Sequence, residues 1–285
     1  MSTLYADPKQ NGLLALLSPA ELARLAPQLE LVAMAQADVL YQSGSQLTYV
    51  YFPSTAVTSI QYELEDGGAS EIASVGNEGL LGVTLFMGGA TAPNRAIVHS
   101  AGHAYRLRAS VLLAEFHRKG PLFDLLLRYT QVLMAQLAQT AVCNGHHSTV
   151  QRLCRWLLQA LDHSSSSELV VTQEALASIL GVRREGITDA AGRLQTLGLI
   201  SSRRGHIRVL TRAGLELHVC ECYGVMRRET TRLLASSPTA GAAHEHRPGR
   251  GGQPNRRTGR ADRRGAAARA DEGVTGEAQL DLLFP

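Results

Sequence analysis

Four polar side chains between residues 184 and 189 have the types and spacing of groups that hydrogen-bond to nucleic acid bases. Arg184, Glu185, Thr188 and Asp189 fall at positions that share one face of a helix. In the DNA major groove an arginine forms two hydrogen bonds to guanine, and a carboxylate accepts a hydrogen bond from cytosine. A threonine either hydrogen-bonds to a base or contacts the methyl group of thymine. The other face of the helix would be apolar, through Ile187, Ala190, Ala191 and Leu194. The sequence therefore predicts a helix that presents a base-reading surface and buries its opposite side.

A shorter helix is predicted to hold the base-reading helix in place. Thr172 would cap its N-terminus, and Gln173 would lie in its first turn. Gly181 permits the left-handed turn that ends it, and the second helix would begin near Arg183. The small alanines of the second helix let two crossed helices approach closely. Together these features predict a helix-turn-helix.

The segment after the second helix predicts a hairpin with a basic tip. Two short runs that contain β-branched residues flank a turn at Arg203, Arg204 and Gly205. From Arg183 to Arg212 there are seven arginines and two acidic residues, whereas residues 1–110 contain nine acidic and five basic residues. The whole chain has a net charge of only +3. Positive charge is therefore concentrated where phosphates would lie, and the N-terminal half does not share it.

The segment Thr172–Gln195 and the hairpin after it resemble the DNA-binding end of the Crp/Fnr family of bacterial transcription regulators. In that family an Arg-Glu pair early in the second helix contacts bases, and the resemblance assigns this role to Arg184 and Glu185. Asp189 stands where the family often has an arginine, so we expect a different base preference. The full predicted DNA-binding set is Thr172, Gln173, Arg183, Arg184, Glu185, Thr188, Asp189, Arg203 and Arg204.

The resemblance implies a cytoplasmic homodimer that binds double-stranded DNA at two half-sites about one helical turn apart. RNA polymerase is a further candidate partner. Two other classes of function stay open: a sensor module whose helix-turn-helix contacts protein, and a small-ligand enzyme built on a β-roll. An enzyme would need a convergent set of metal ligands or a nucleophile and its base. The sequence shows no such set, and we expect no enzymatic activity.

The residue pattern from 30 to 107 predicts short strands separated by turns. The predicted strands are Glu30–Met34, Val39–Tyr41, Val50–Phe52, Ala56–Tyr62, Glu71–Val75, Ala96–His99 and His103–Leu107. Many short strands at nearly even spacing favour an antiparallel roll or barrel. Their order resembles the β-roll of the same family, so the likeness extends from about Leu13 to Leu234. The predicted fold class is α+β: an N-terminal antiparallel β-roll of the cyclic-nucleotide-binding type, a long dimerisation helix, a C-terminal winged helix-turn-helix and a disordered tail.

Residues 76–95 lie where cyclic-nucleotide-binding relatives keep the cassette that holds the cyclic phosphate. By resemblance, the effector pocket consists of Glu78, Gly79 and Arg95, since a phosphate needs backbone donors and a guanidinium. Asn77 replaces the expected glycine, and the interval from Glu78 to Arg95 is longer than in the cassette. We therefore predict a pocket that is degenerate or specific for another small-molecule effector. The alternative is a cyclic-nucleotide-responsive regulator. No cofactor is predicted to be required.

A long helix is predicted from Pro121 to Ala141. Its apolar positions repeat every seven residues in two series, as in the seam of a coiled coil. The predicted dimer interface consists of Phe123, Leu126, Thr130, Leu133 and Leu137. The alternative is that this stripe packs against the β-roll of its own chain, which we expect along part of the helix.

The cysteines and histidines are predicted to have no catalytic or metal-binding role. The four cysteines, Cys143, Cys154, Cys220 and Cys222, lie outside any zinc-finger spacing, which predicts free thiols in a reducing compartment. Cys220 and Cys222 would suit a ligand or redox pair, but packing is the preferred interpretation. We interpret His146 and His147 as a polar hinge after the long helix.

The predicted domains are an N-terminal arm (1–12), a β-roll sensor domain (13–118), a dimerisation helix (119–145), a winged helix-turn-helix domain (146–235) and a tail (236–285). The tail is rich in Gly, Ala, Pro and Arg and has little to bury, so we predict disorder and nonspecific attraction to phosphate. No apolar run approaches the ~18–20 residues of a membrane helix. No secretion signal is evident, so neither a membrane span nor export is expected.

Overall fold

The computed structural model describes residues 7–65, 68–89, 91–163 and 167–235. The predicted tail (236–285), the first six residues of the predicted arm, and parts of the predicted turns at 65–68 and 164–167 lie outside the described residues. Within the described ranges, no helix has the length and apolar character that a bilayer crossing requires.

The chain begins with short helices that are held by well-formed caps. After a 3-10 turn at Pro8–Gln10 come α1 (Gly12–Ala15) and α2 (Pro19–Leu25). Ser18 and Glu21 form a capping box at the start of α2, with Pro19 at its first position as the sequence predicts. The buried side chain of Asn11 donates to the carbonyls of Pro53 and Gly79 and accepts from the amides of Leu13 and Leu14. Asn11 therefore fixes the N-terminal helices to the sheet domain.

Seven strands form the predicted antiparallel roll. They are β1 (Glu30–Met34), β2 (Val39–Tyr41), β3 (Tyr49–Pro53), β4 (Val57–Glu63), β5 (Ala69–Val75), β6 (Arg95–Ser100) and β7 (Gly102–Arg108). One sheet has the order β1-β7-β3 and the other has the order β2-β6-β4-β5, with every pairing antiparallel. The predicted strands are confirmed, and their observed ends differ from the predicted ends by at most two residues. The α+β class is also confirmed, with the antiparallel strands first, the long helix next and the helix-turn-helix region after it.

Two helices follow the roll, α3 (Ala109–His117) and α4 (Pro121–His146). The carboxylate of Glu21 accepts a hydrogen bond of 2.8 Å from the amide of Leu122 and so satisfies a free donor at the start of α4. Further along α4, the hydroxyl of Tyr129 donates to the carbonyl of Leu80 at 3.1 Å. The helix continues five residues beyond the predicted end at Ala141, so His146 is its last residue. One side of α4 is thus fixed to the roll.

The predicted dimer stripe of α4 largely faces its own roll, and this requires a correction. The side chain of Leu126 is 0% exposed and that of Thr130 is 8% exposed, so a second chain cannot reach them. Phe123 and Leu133 pack against the same apolar cluster as Leu126. Leu137 packs against a neighbouring cluster under β4 and β5. The roll needs an apolar cover, and the leucine-rich side of the helix provides it.

The C-terminal part of the chain forms a second core. Its elements are α5 (Thr149–Asp162), β8 (Glu168–Val170), α6 (Gln173–Leu180), α7 (Arg184–Thr196), β9 (Ile200–Arg203), β10 (His206–Val209), α8 (Arg212–His218) and α9 (Glu221–Ala235). The sheet has the order β8-β10-β9. The strand β8 was not predicted. The helix α9 returns to pack along α4.

The C-terminal part also contacts the roll directly. The hydroxyl of Ser178 in α6 donates to the carbonyl of Ala69 in β5 at 3.0 Å. The amide of Gln36 donates to the carbonyl of Val170 in β8 at 2.9 Å. The first helix of the helix-turn-helix is therefore positioned by the roll as well as by its own core.

Candidate nucleic-acid interface and ligand cavity

The helix-turn-helix is built by local signals that the sequence carries. The hydroxyl of Thr172 accepts from the amide of Ala175 at 3.1 Å and caps α6. Gly181 ends α6 with φ 59°, a left-handed conformation that favours glycine. Arg183 occupies the N-cap position of α7. These residues set the crossing of the two helices.

The helix α7 has one buried face and one face in solvent. Its buried residues are Ile187, Ala190, Ala191 and Leu194, as the sequence predicts. Arg183, Arg184, Glu185, Thr188 and Asp189 are all exposed. The Thr188 hydroxyl lies 3.0 Å from the Gln173 side-chain oxygen of α6 and 3.1 Å from the Arg184 carbonyl, close enough to donate to either. The two helices therefore present a continuous polar surface.

The hairpin of β9 and β10 extends this surface. Its turn consists of Arg204 and Gly205, which have positive φ values of 36° and 84°. Two central residues with positive φ match the twist of paired strands in a tight hairpin. Arg203 and Arg204 are exposed at its tip, whereas Arg208 is paired with Glu168 of β8 at 3.3 Å. The predicted basic wing is therefore present, with two arginines at its end.

The three residues of the predicted effector pocket have different surroundings. The guanidinium of Arg95 forms an ion pair with Glu63 and donates to the side-chain oxygen of Gln61 at 2.8 Å. Glu78 instead forms an ion pair with His163, the C-cap residue of α5, with 2.9 Å between the carboxylate oxygen and Nδ1. The structure thus assigns the acid and the arginine to separate partners.

The backbone at residues 76–79 is covered by side chains of two helices. A Cβ atom at Gly79 would clash with the hydroxyl of Tyr129 in α4, and one at Gly76 would clash with the imidazole of His163. The carbonyl of Gly79 already accepts from Asn11 at 2.8 Å. These glycines permit close packing of the helices on the roll.

A cavity of about 370 Å³ lies where this segment meets α4, α5 and α9. Its lining includes Asn77, Glu78, Tyr129, His163, Met226 and Arg227. Arg95 and Gly79 are not among the lining residues. The volume is within the range of small-molecule sites. Sequence reasoning missed this cavity because its walls come from four separate parts of the chain.

The ion pair in the cavity wall shifts the pKa values of both partners. Burial alone would lower the pKa of His163, but the charge and hydrogen bond of Glu78, with Asp162 and Glu71 nearby, raise it above its ordinary 6.5. Burial alone would raise the pKa of Glu78, but His163 and backbone donors hold it below its ordinary 4.5. Each partner therefore stabilises the charged form of the other.

The structure also brings together four residues that the sequence interpretation had assigned to packing and to a hinge. Single side-chain donor atoms of Cys143, His147, Cys220 and Cys222 all lie within 4.8 Å of one another. Two of these residues belong to the end of α4 and two to the start of α9. The separation of the two pairs along the chain hid the cluster from a search for zinc-finger spacing.

Comparisons with known proteins agree with this architecture. Residues 151–217 match the Crp-like helix-turn-helix domain family. A comparison with curated protein sequences gives no match. The matched residues include α6, α7 and the hairpin, which carry the exposed polar surface.

Solved structures of Crp/Fnr-type regulators share the fold. FixK2 from Bradyrhizobium japonicum has a TM-score of 0.58 at 16% identity, over 67% of this chain and 98% of that chain. A CRP/FNR-family transcriptional regulator from Thermus thermophilus has a TM-score of 0.55 at 20% identity, over 68% and 98%. The c-di-GMP-responsive global regulator CLP of Xanthomonas campestris has a TM-score of 0.54 at 15% identity, over 68% and 100%.

The Glu78–His163 pair gives a test of how the cavity wall depends on pH. His163→Gln is expected to lower the free energy of unfolding by about 1.5–3 kcal/mol in mildly acidic solution and by less as the pH rises. The raised pKa of His163 means that its stabilising charge is fully present below about pH 6.5 and is lost as the pH rises through the folded-state pKa. Glu78, with its lowered pKa, remains ionised over this range and loses its contribution only as the pH falls through a value below 4.5. Urea unfolding of both proteins at several pH values measures the difference.

Exposed His103→Gln is the matched control and should show no such pH-dependent difference. Burial raises the pKa of Glu71 to about 7, and the charge of His163 opposes this rise. The parent protein and the His103→Gln control therefore share the pH dependence of Glu71, whereas His163→Gln also loses this opposing charge. A loss of stability in His163→Gln that is constant from acidic to basic pH would contradict the ion pair.

Proposed function

We propose that the chain is a DNA-binding transcription regulator of the Crp/Fnr type that acts as a homodimer on an operator with two half-sites; the helix-turn-helix match and the shared fold support this. The match of residues 151–217 to a helix-turn-helix family and the fold shared with solved regulators support a regulator rather than an enzyme. The observation that carries the proposal is the exposed polar face of α7, flanked by the arginines of the wing. A face that bound protein would be expected to present apolar or aromatic anchors at its centre, and this one presents charges.

The proposed division of labour follows from the chemistry of each group. Arg184 and Glu185, in the first turn of α7, contact base edges, since N-terminal residues of a recognition helix reach the floor of the major groove. Arg203 and Arg204 at the wing tip contact phosphates, which position the domain without reading sequence. Asp189 contributes a preference for cytosine rather than guanine at its position.

Replacing Arg184 tests the base-reading role. Arg184→Ala is expected to cost about 1–3 kcal/mol at the specific site and much less on random DNA, because a base contact carries sequence information and a phosphate contact does not. Gel-shift titrations on operator and scrambled DNA at fixed salt measure both affinities.

Arg193→Ala is the matched control, since it removes the same charge from the same helix about two and a half turns away. It should weaken binding to both DNAs about equally. Equal losses on both DNAs for Arg184→Ala would instead assign Arg184 to phosphate contact.

The proposed dimer seam is the side of α4 that the roll leaves uncovered. Leu127 and Met134 are 45% and 60% exposed, which is unusual for large apolar side chains. Gln131, Ala138 and Ala141 are also exposed and complete a stripe at alternating spacings of four and three residues. This is the spacing of a coiled-coil seam. Two protomers paired along parallel α4 helices would each present one α7 helix, and each α7 would bind one half-site.

A charge in this stripe should separate the protomers. Met134→Asp and Leu127→Asp are expected to give monomers and to abolish binding to two-half-site DNA, because a carboxylate would be buried between two apolar faces. Sedimentation of the variants measures their assembly, and circular dichroism shows that they remain folded.

Leu217→Asp is the matched control, since Leu217 is 84% exposed on α8 and lies away from the stripe. It should remain a dimer. Leu133→Asp should disturb folding rather than assembly, because Leu133 packs against the roll. Dimers of Met134→Asp and Leu127→Asp with normal DNA affinity would exclude this stripe as the interface.

We also propose that the effector is not a cyclic nucleotide. The two terminal nitrogens of Arg95 are already bonded to Glu63 and Gln61, so this end of the guanidinium is not available to bind a cyclic phosphate. The backbone at Gly76 and Gly79 is covered by His163 and Tyr129, so a phosphate has no open cradle there. The cavity at the junction of the helices is a better-formed space for a small effector of other chemistry.

Calorimetric titration of the full chain with cyclic AMP and with cyclic GMP is expected to show no saturable binding in the micromolar range. The DNA affinity, measured in parallel, should not depend on either nucleotide. A cyclic-AMP-binding regulator in the same buffer serves as the positive control. Micromolar binding that disappears in Arg95→Ala, together with tighter DNA binding, would contradict the proposal.

A further inference from the structure

The end of α4 and the start of α9 place four metal-ligating side chains around one point. Cys143 lies in the last turn of α4, and His147 is the C-cap residue that follows the helix and donates its backbone amide to the carbonyl of Cys143. Cys220 and Cys222 lie just before and within the first turn of α9. The donor atoms of all four lie within 4.8 Å of one another.

Two of the distances between donor atoms are close to the edge lengths of a zinc tetrahedron. Zinc bonds of about 2.3 Å to sulfur and about 2.0–2.1 Å to nitrogen give sulfur–sulfur edges of about 3.8 Å and sulfur–nitrogen edges of about 3.6 Å. Cys143 Sγ lies 3.6 Å from Cys220 Sγ. Cys222 Sγ lies 3.4 Å from His147 Nδ1. The side chains thus need only small shifts to close around an ion.

The groups around the cluster orient the ligands as in known zinc sites. The second nitrogen of His147, Nε2, lies 3.3 Å from the carboxylate of Glu221, which leaves Nδ1 to face the sulfurs. A carboxylate on the outer nitrogen of a ligating histidine is the usual arrangement in zinc proteins. The side-chain amide of Gln139 donates to Cys222 Sγ at 3.0 Å.

The setting also suits a charged metal–thiolate centre. All three cysteines are buried, and the side chain of His147 is 12% exposed. Three thiolates and one Zn²⁺ carry a net charge of −1, and the buried guanidiniums of Arg152 and Arg155 lie close enough to act on the charge of Cys143. A buried charge of one sign is tolerated when the opposite charge is nearby.

We propose that Cys143, His147, Cys220 and Cys222 form a tetrahedral Zn²⁺ site that fastens the start of α9 to the end of α4. Three sulfurs and one nitrogen are a structural zinc set, because four protein ligands leave no open position for a substrate. The site lies next to Ser148, the N-cap of α5, where the long helix ends and the DNA-binding part begins. Zinc would therefore fix the direction in which α5 and the DNA-binding part continue from the end of α4.

The test is the metal content of the full chain, purified under reducing conditions without added metal or chelator. We expect about one zinc per chain by mass spectrometry. After chelation, titration with Co²⁺ should give the sulfur-to-cobalt charge-transfer band and the strong visible absorption of a tetrahedral thiolate site, saturating at one equivalent. Cys222→Ser and His147→Gln should lose both signals.

Cys154→Ala is the matched control, since Cys154 is as buried as the others but stands outside the cluster. It should keep the zinc and the cobalt spectrum. Glu221→Gln provides a variant that keeps all four ligands, so folding is not at risk. It should weaken zinc binding about 10–100-fold by removing the carboxylate behind His147.

Two results would overturn the proposal. One is a purified chain without zinc that also fails to bind Co²⁺ with a thiolate spectrum. The other is iron with acid-labile sulfide in place of zinc, since that would assign the cysteines to an iron–sulfur cluster.

Discussion

The long helix α4 has several apolar sides that are unstable in water. The arrangement of the other elements depends on which of them packs against each side. One side is apolar and is buried by the roll, with Leu126 fully enclosed and Tyr129 bonded to Leu80. A second side receives α9, which returns after the wing. The stripe that contains Leu127 and Met134 remains in solvent. Because exposing large apolar side chains is unfavourable, this stripe is the interface proposed above for a second copy.

The segment 76–79 of the roll illustrates how one backbone feature can serve packing instead of ligand binding. Its glycines allow the close approach of Tyr129 and His163, whose side chains cover this part of the backbone. The charge of Glu78 is met by His163 and that of Arg95 by Glu63. The roll therefore keeps the architecture of a cyclic-nucleotide sensor, while its polar groups bond to one another.

The cavity and the cysteine–histidine cluster both lie on the contact between α4 and α9. Met226 and Arg227 of α9 line the cavity, and Cys220 and Cys222 at the start of the same helix belong to the cluster. A small molecule in the cavity and a metal in the cluster would thus bias the same helix packing. Since α5 begins directly after α4, that packing is linked to the position of the DNA-binding part.

The sequence by itself determined the local structure, because its signals are short-range. Thr172, Gly181 and the period of Ile187 to Leu194 specify the two helices and their buried faces, and alternating strand residues between turns specify the roll. Only the tertiary structure decided which side of α4 meets the roll, since both stripes of the helix have the same heptad spacing. The tertiary structure also decided which residues pair with Glu78 and Arg95, and it placed Cys143 next to Cys220. These contacts join residues far apart in the chain, and no periodicity in one segment encodes where another segment will pack.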